Sequence, residues 1–367
     1  MKLGLVELLR RPLRFGVAGS ALVLLAVLLL FLGGLLDGLY LGSTGALRAQ
    51  EAPLITFSSD ARESLIRSRV SPEVRSEVEA VPGVASTAGL GIALVGGRVP
   101  DEDELANLAV AGFEQPVRSM PDDVDLAPDE ALADRSLEAA GVALGDTVAV
   151  GSGETPVEVV GWVEDTDYLQ QSGFWVRPET WRGILAESRP DAVLPDGTFQ
   201  VLTVTLESGA DVDEVAAAID AATDGATSTL TREAAVLALP GIQEQNSTFG
   251  AIIYVTLFVA GLVIALFFAL LTLERTGLYG VLKAIGASTR QIFAGVVAQS
   301  VAVAVVSFAI GLAVMLGLAQ LLPAEVPVAI ETSRVVQIGV GLVVMSALGA
   351  AVSLRRVVRV DPASAIG

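Results

Sequence analysis

Four long apolar runs interrupt the chain, at about Phe15–Leu41, Phe249–Leu273, Ile292–Leu322 and Val335–Leu354. Each reaches the ~20 residues that an α-helix needs to cross a bilayer. The pattern therefore predicts one membrane span near the start of the chain and three grouped toward its end. Arg10, Arg11 and Arg14 precede the first run, as they would in a signal peptide. A signal h-region is only about 7–15 residues and ends in a small-x-small site. This run is far longer and no Ala-x-Ala follows it, so it reads as an uncleaved anchor.

Between the first and second runs the pattern changes to short alternating segments. Leu54–Phe57 is β-prone, and Ser71-Pro72-Glu73 is a helix start leading into Val74–Val81, which Pro82-Gly83 stops. Near the other end, Val201–Leu206 alternates as a strand. Asp211–Ala222 follows with Val212, Val215, Ala216 and Ile219 on one helical face, and Ser228–Leu230 offers the next strand. Two such halves would make a ferredoxin-like α/β unit. Residues 107–195 between them look mostly β. Gly141–Asp146 turns into the strand Thr147–Val150, and Gly151–Gly153 is a hairpin signal before Val157–Val163. Trp162, Tyr168, Trp175 and Trp181 fall in this stretch and are expected to fill a small β-domain core, since aromatics dominate core burial.

The predicted fold is an α-helical membrane protein with four transmembrane helices, one plus three, and a large extracytoplasmic α/β domain. Its expected segments are an elbow at 1–14, a span at 15–41, the α/β domain at 42–247, a span at 249–273, a loop at 274–291, a span at 292–322, a turn at 323–334, a span at 335–354 and a tail at 355–367.

Charge sharpens this division. The 367 residues are 52% hydrophobic yet carry a formal charge of −19, and their mean hydropathy is +0.63. Residues 42–247 hold 12 Arg and no Lys against 36 Asp plus Glu, a balance of −24, and the remainder carries +5. An ordinary cytosolic enzyme and a disordered acidic chain are excluded, and the acidic block would repel nucleic-acid phosphates. Basic residues set the orientation of short loops. Lys2, Arg10, Arg11 and Arg14 precede the first span, Arg275, Lys283 and Arg290 lie between the second and third, and Arg355, Arg356 and Arg359 follow the fourth. The turn between the third and fourth spans sets Glu325 and Glu331 against Arg334. Both termini are thus expected inside the plasma membrane of a prokaryote and the acidic block outside. The Arg-over-Lys bias points to a GC-rich genome.

The sequence has no Cys and no His, so disulfides, thiolate metal sites and Ser-His-Asp triads are ruled out. Lysine occurs only at Lys2 and Lys283, followed by Leu3 and Ala284, so a Walker A loop with its Gly-Lys-Ser/Thr is absent. No nucleophile, base and orienter emerge together, which argues against an enzyme. The acidic runs Asp101–Glu104 and Asp122–Asp125 lack EF-hand spacing and read as solvated loops.

The loop after the second span reads Leu273-Glu-Arg-Thr-Gly-Leu-Tyr-Gly-Val-Leu-Lys-Ala-Ile-Gly-Ala-Ser-Thr-Arg-Gln-Ile292. From Glu274 to Ser288 it resembles the signature that precedes the third span in FtsX/MacB-type ABC transporter permeases. Tyr279-Gly280 departs from that pattern, where a polar or acidic residue often precedes the Gly. Arg359-Val-Asp-Pro-Ala-Ser-Ala-Ile366 resembles the closing motif of the family, and Leu144-Gly-Asp-Thr-Val148 its Gly-Asp strand start. Glu7–Phe15 with Leu32-Gly-Gly-Leu-Leu-Asp-Gly-Leu39 is similar to the start of HrtB/DevC-type permeases, as is Ile55–Ser71. The resemblance implies a membrane subunit that holds no nucleotide, with ATP and Mg on a separate ABC ATPase. It also implies a homodimer and a haem-like, lipid-like or peptide cargo. FtsX-like members imply an alternative, a non-transporting mechanotransmitter acting on an external partner such as a cell-wall hydrolase.

On this reading the ATPase would be met by Glu274, Arg275, Leu278, Val281, Leu282, Lys283, Ile285, Gly286 and Ser288. Leu278, Val281, Leu282 and Ile285 form an apolar stripe able to dock in a groove, Gly286 permits a turn, and Ser288 can cap the next helix. The competing reading of this stripe is a connector lying on lipid headgroups. Gly34, Gly38 and Gly42 form a small-residue ridge suited to close helix packing, either between two copies or within one. Asp37 lies in that ridge, where an ionisable group is a substrate or gating candidate. A haem cargo would meet no His or Cys, and Met315 and Met345 are the intramembrane sulfurs.

Overall fold

The computed structural model describes residues 12–100, 104–121, 124–274, 277, 281, 283, 285–323 and 326–357. They form two units: Leu39–Glu244, and Met1–Gly38 with Gln245–Gly367. Helix α1 (Pro12–Arg48) contributes to both.

The β-rich unit contains β1 (Leu54–Ser58), α2 (Pro72–Glu79), β2 (Val84–Arg98), β3 (Leu105–Phe113), β4 (Glu130–Asp134), β5 (Thr147–Val150), β6 (Thr155–Val163) and β7 (Ser172–Val176). It continues with α3 (Pro178–Ser188), β8 (Val201–Leu206), α4 (Val212–Ala222), β9 (Thr227–Thr231) and α5 (Arg232–Ala238). Strands β2, β8, β1 and β9 lie side by side, all antiparallel, and with α2 and α4 they make the expected ferredoxin-like arrangement. Local chemistry starts both helices. Ser71 accepts the Val74 N–H with Pro72 in the first turn, and Asp211 accepts the N–H groups of Asp213 and Glu214. Val215, Ala216 and Ile219 then bury the apolar face of α4.

The insert between β2 and β8 is a closed ring of strands. Antiparallel β2–β3, parallel β3–β7, antiparallel β7–β4, parallel β4–β6 and antiparallel β6–β5 lead back to β2 through Gly97↔Val150. Closure leaves no exposed strand edge within the ring. It also accounts for the 15-residue length of β2, whose first half pairs with β8 and second half with β3.

Alternation along these strands separates two cores. Leu108, Val110, Phe174 and Val176 point into one cluster, while Ala109, Ala111 and Trp175 point into another. The four aromatics therefore do not form one cluster. Trp175 and Tyr168 belong to the core that also holds Ala46 and Leu47 of α1, whereas Trp181, from α3, plugs the ring interior with Trp162 packed on its margin. Trp181 stacks on Phe199 with centroids 6.0 Å apart. Helix α3 is an addition to the mostly β stretch that was expected: Pro178 starts it, and Trp181, Ile184 and Leu185 bury one face. Burying a large apolar side chain contributes about 1.5–3 kcal/mol each.

In the other unit, α6 (Ile242–Glu274), α7 (Thr289–Ala319) and α8 (Thr332–Val357) join the first part of α1. Four helices among the described residues are long and apolar enough to cross a membrane: Gly19–Arg48, Ile242–Glu274, Thr289–Ala319 and Thr332–Val352. Their shared core includes Leu22, Leu29, Ile264, Phe268, Val303 and Leu342. Val255, Leu262, Leu266 and Leu270 of α6 are exposed, a face suited to hydrocarbon.

Candidate functional site

The link between α6 and α7 is built for a sharp, exposed turn. Glu274 closes α6. Val281 and Lys283 are exposed helical positions, and Ile285 is 75% exposed. The Ile285 N–H donates to the Val281 carbonyl (3.1 Å) and the Gly286 N–H to that of Lys283 (3.0 Å). Gly286 then takes φ +99°, a left-handed conformation that glycine adopts without a Cβ penalty. Ser288 follows as the N-cap of α7. Its hydroxyl accepts the Gln291 N–H at 3.2 Å, and the Gln291 side chain accepts the Ser288 N–H at 2.9 Å, a reciprocal capping box. The link thus presents Val281 and Ile285 outward just before a fixed helix start. Arg275, Leu278 and Leu282 lie outside the described residues.

Around Asp37 the structure supplies a partner that sequence reasoning missed. Arg334, in the first turn of α8, reaches its carboxylate through Nη2 at 2.8 Å and Nε at 3.2 Å to each oxygen. Both side chains are largely buried, 12% exposed for Asp37 and 28% for Arg334. A gating or substrate role for Asp37 would have to displace this pair.

The glycine ridge is covered by the same chain. The Ala329 N–H donates to the Gly34 carbonyl at 3.0 Å, and a Cβ on Gly38 would run into the Pro327 carbonyl. Gly42 faces the side-chain amide of Gln170. Gly34, Gly38 and Gly42 are thus all contacted by the same chain, the arrangement expected of the within-chain alternative for this ridge.

A second gathering of polar groups lies in the β-rich unit. Asp134 Oδ2 accepts the N–H (2.8 Å) and the hydroxyl (2.6 Å) of Thr166, and its Oδ1 accepts the Ser136 N–H at 2.9 Å. The Ser136 hydroxyl lies 3.0 Å from Asp167 Oδ1, which also accepts the Gly173 N–H at 3.2 Å. Burial, reinforced by the nearby charges of Asp134 and Asp165, pushes the Asp167 carboxyl up to about 7. No motif pointed to this pair, because its members are brought together only by the sheet.

Among the described residues no group of three or more acidic side chains is arranged to hold a metal. Asp101, Glu102, Asp103, Asp122 and Asp123 lie outside them. Met315 is fully buried in the helix bundle and Met345 packs over the position of Gly261.

Comparison with known proteins agrees with the family resemblance of the sequence. Residues 21–222 match the MacB-like periplasmic core domain and residues 250–362 the FtsX-like permease C-terminal domain. The chain belongs to the FtsX/MacB-like ABC transporter permease family.

The permease is 28% identical over 345 residues to an uncharacterised ABC transporter permease of Mycobacterium tuberculosis, covering 92% of this chain and 91% of that one. It is 23% identical over 232 residues to a Staphylococcus epidermidis protein named as the hemin transport system permease HrtB, covering 63% of this chain. The match spans 61% of the length of that relative. Among solved structures, the periplasmic region of MacB from Actinobacillus actinomycetemcomitans is similar at a TM-score of 0.35 and 14% identity, covering 51% of this chain and 91% of that one.

Proposed function

We propose that this permease couples a separate ABC ATPase to the export of a hydrophobic or amphipathic molecule. ATP and Mg are bound on the partner, residues 274–291 form the coupling loop, and two copies of the permease act together. Haem-like and lipid-like molecules and peptides are the cargo classes this reading admits, and the relative named for hemin transport supports the first. The distribution of basic residues supports a plasma-membrane orientation with both termini in the cytoplasm and the β-rich domain outside.

The observation that carries the reading is the outward pair Val281 and Ile285, 59% and 75% exposed, held beside the Gly286 turn and the Ser288 cap. An apolar helical face of this kind fits a groove on a partner. The test is capture of the ATPase encoded beside the permease. The unmodified chain is expected to retain it through purification, and Val281→Glu with Ile285→Glu is expected to lose it. Retention by the double variant would overturn the assignment of this loop.

A further inference from the structure

The last turns of α1, from Leu39 to Arg48, belong to the β-rich unit, and a single loop of that unit grips them. The loop runs from Asp165 to Gln171, between β6 and β7. The Ala46 N–H donates to the Asp167 carbonyl at 3.1 Å. The Gly42 carbonyl, four residues earlier in the helix, accepts the Gln170 N–H at 2.9 Å, and the Ser43 carbonyl accepts the Leu169 N–H at 3.3 Å. Loop backbone thereby joins the hydrogen-bond ladder of the helix itself. The Gln170 amide adds two more bonds, to the Leu39 carbonyl (2.9 Å) and the Ser43 hydroxyl (3.0 Å). Thr44 and Tyr168 pair as an antiparallel bridge.

Approach at this point is close enough to dictate residue type. A Cβ on Gly45 would lie 2.6 Å from the Asp165 carbonyl oxygen and 2.7 Å from the Asp167 nitrogen. The obstruction is backbone, which cannot swing aside as the end of a side chain can. The loop is also held in a demanding shape. Tyr168 and Gln171 exchange N–H···O bonds around a two-residue tip in which Leu169 and Gln170 have φ 50° and 63°. Tips of this type favour Asn-Gly, and bulkier residues persist there only when the surroundings over-determine them. Leu169 packs against the core that contains Trp175, and Tyr168 is fully buried within it.

We infer that residues 165–171 are a clasp that makes the outgoing end of the first span and the β-rich domain one rigid lever, with Gln170 as its positioning residue. The role rests on the permease reading, in which an ATPase moves the spans. Without the clasp the helix end would be tied to the domain by the short connection before β1 and by the packing of Tyr40, Ala46 and Leu47. Motion of the span would then be partly lost as swivel. With the clasp closed, the domain follows the last turns of the helix, Leu39 to Arg48, without slack.

The chain contains no cysteine, so spin labels can be placed singly at Leu41→Cys, on the helix, and Glu138→Cys, on the ring. Distances between them are measured in the purified full chain, and again in the ATPase complex trapped with ATP and vanadate. One narrow distribution is expected, unchanged by trapping. Gln170→Glu keeps the shape of the side chain but removes both donors, and it is expected to lose the single narrow peak while the domain melts at the same temperature. Gln170→Lys, which keeps a donor, is expected to recover the peak. Gly45→Leu, which forces the loop off the helix, should give the broadest distribution. A distribution that moves on trapping would overturn the rigid lever, as would variants as narrow as the unmodified chain. A narrow distribution in a chain that captures no ATPase would support the clasp while removing the permease reading.

Discussion

Asp37 and Arg334 are 297 residues apart in sequence and meet through Nη2–Oδ1 at 2.8 Å and Nε at 3.2 Å from both carboxylate oxygens. The pair ties the first span to the start of the fourth. Its members are mostly removed from solvent, so breaking it leaves a charge without a partner. The cost of losing one member is expected to be about 1–3 kcal/mol, below that of a fully buried pair because Arg334 keeps some exposure. Asp37→Asn and Arg334→Gln should each lower the melting temperature of the purified permease. The exchange Asp37→Arg with Arg334→Asp should recover part of the loss. Single variants as stable as the unmodified chain would show that the pair holds nothing together.

The ridge on the same helix orders a second set of variants. At Gly38 an added Cβ meets the backbone of Pro327 and Ala329, whereas at Gly42 it meets only the end of the Gln170 side chain. Gly38→Ala is therefore expected to cost about 1–3 kcal/mol as overpacking, and Gly42→Ala less. Thermal unfolding in detergent reads the order directly, and the reverse order would contradict this packing.

Asp167 gives a pH dependence with a definite sign. Its carboxyl is raised from 3.8 to about 7 in the folded domain. Between those values the folded state holds a proton that the unfolded chain has released. The contribution of Asp167 to stability is therefore highest below the unfolded value, falls as pH rises through this window, and levels off above about 7. A tenfold difference in proton affinity between the two states is worth about 1.4 kcal/mol, enough for a melting curve to resolve. Asp167→Asn keeps an acceptor for the Gly173 N–H and cannot ionise. It is expected to match the parent near pH 4 and to melt higher at pH 8. Parallel stability curves for the two proteins would refute the assignment.

How much of this was legible in the sequence depends on the range of the signal. The four spans could be read because hydrocarbon demands an uninterrupted apolar run. The outer βαβ halves could be read because Val215, Ala216 and Ile219 repeat at helical spacing. Helix α3 carried the same kind of signal in Pro178, Trp181, Ile184 and Leu185, but the neighbouring strands outweighed it. Ring closure was illegible, because parallel pairs such as β4–β6 are set by packing between distant segments. Asp37 stood out as a membrane carboxylate, while nothing local singled out Arg334 as its partner. The clasp was the least visible feature, since Leu169-Gln170 lacks the Asn or Gly that marks left-handed turn positions.

In the proposed function, the link around Gly286 passes movement between an ATPase and the spans. Among the described residues nothing lies within 4 Å of a Cβ built on Gly286, and its φ is +99°, so a β-branched side chain there strains the turn through the backbone. The most direct measurement is ATP turnover by the lipid-reconstituted complex with the ATPase encoded beside this permease, comparing the unmodified chain with Gly286→Val. The variant complex is expected to assemble still and to turn over ATP about tenfold more slowly, equivalent to roughly 1.4 kcal/mol. A variant with undiminished turnover, or a permease that purifies intact and engages no ATPase, would contradict the proposed function.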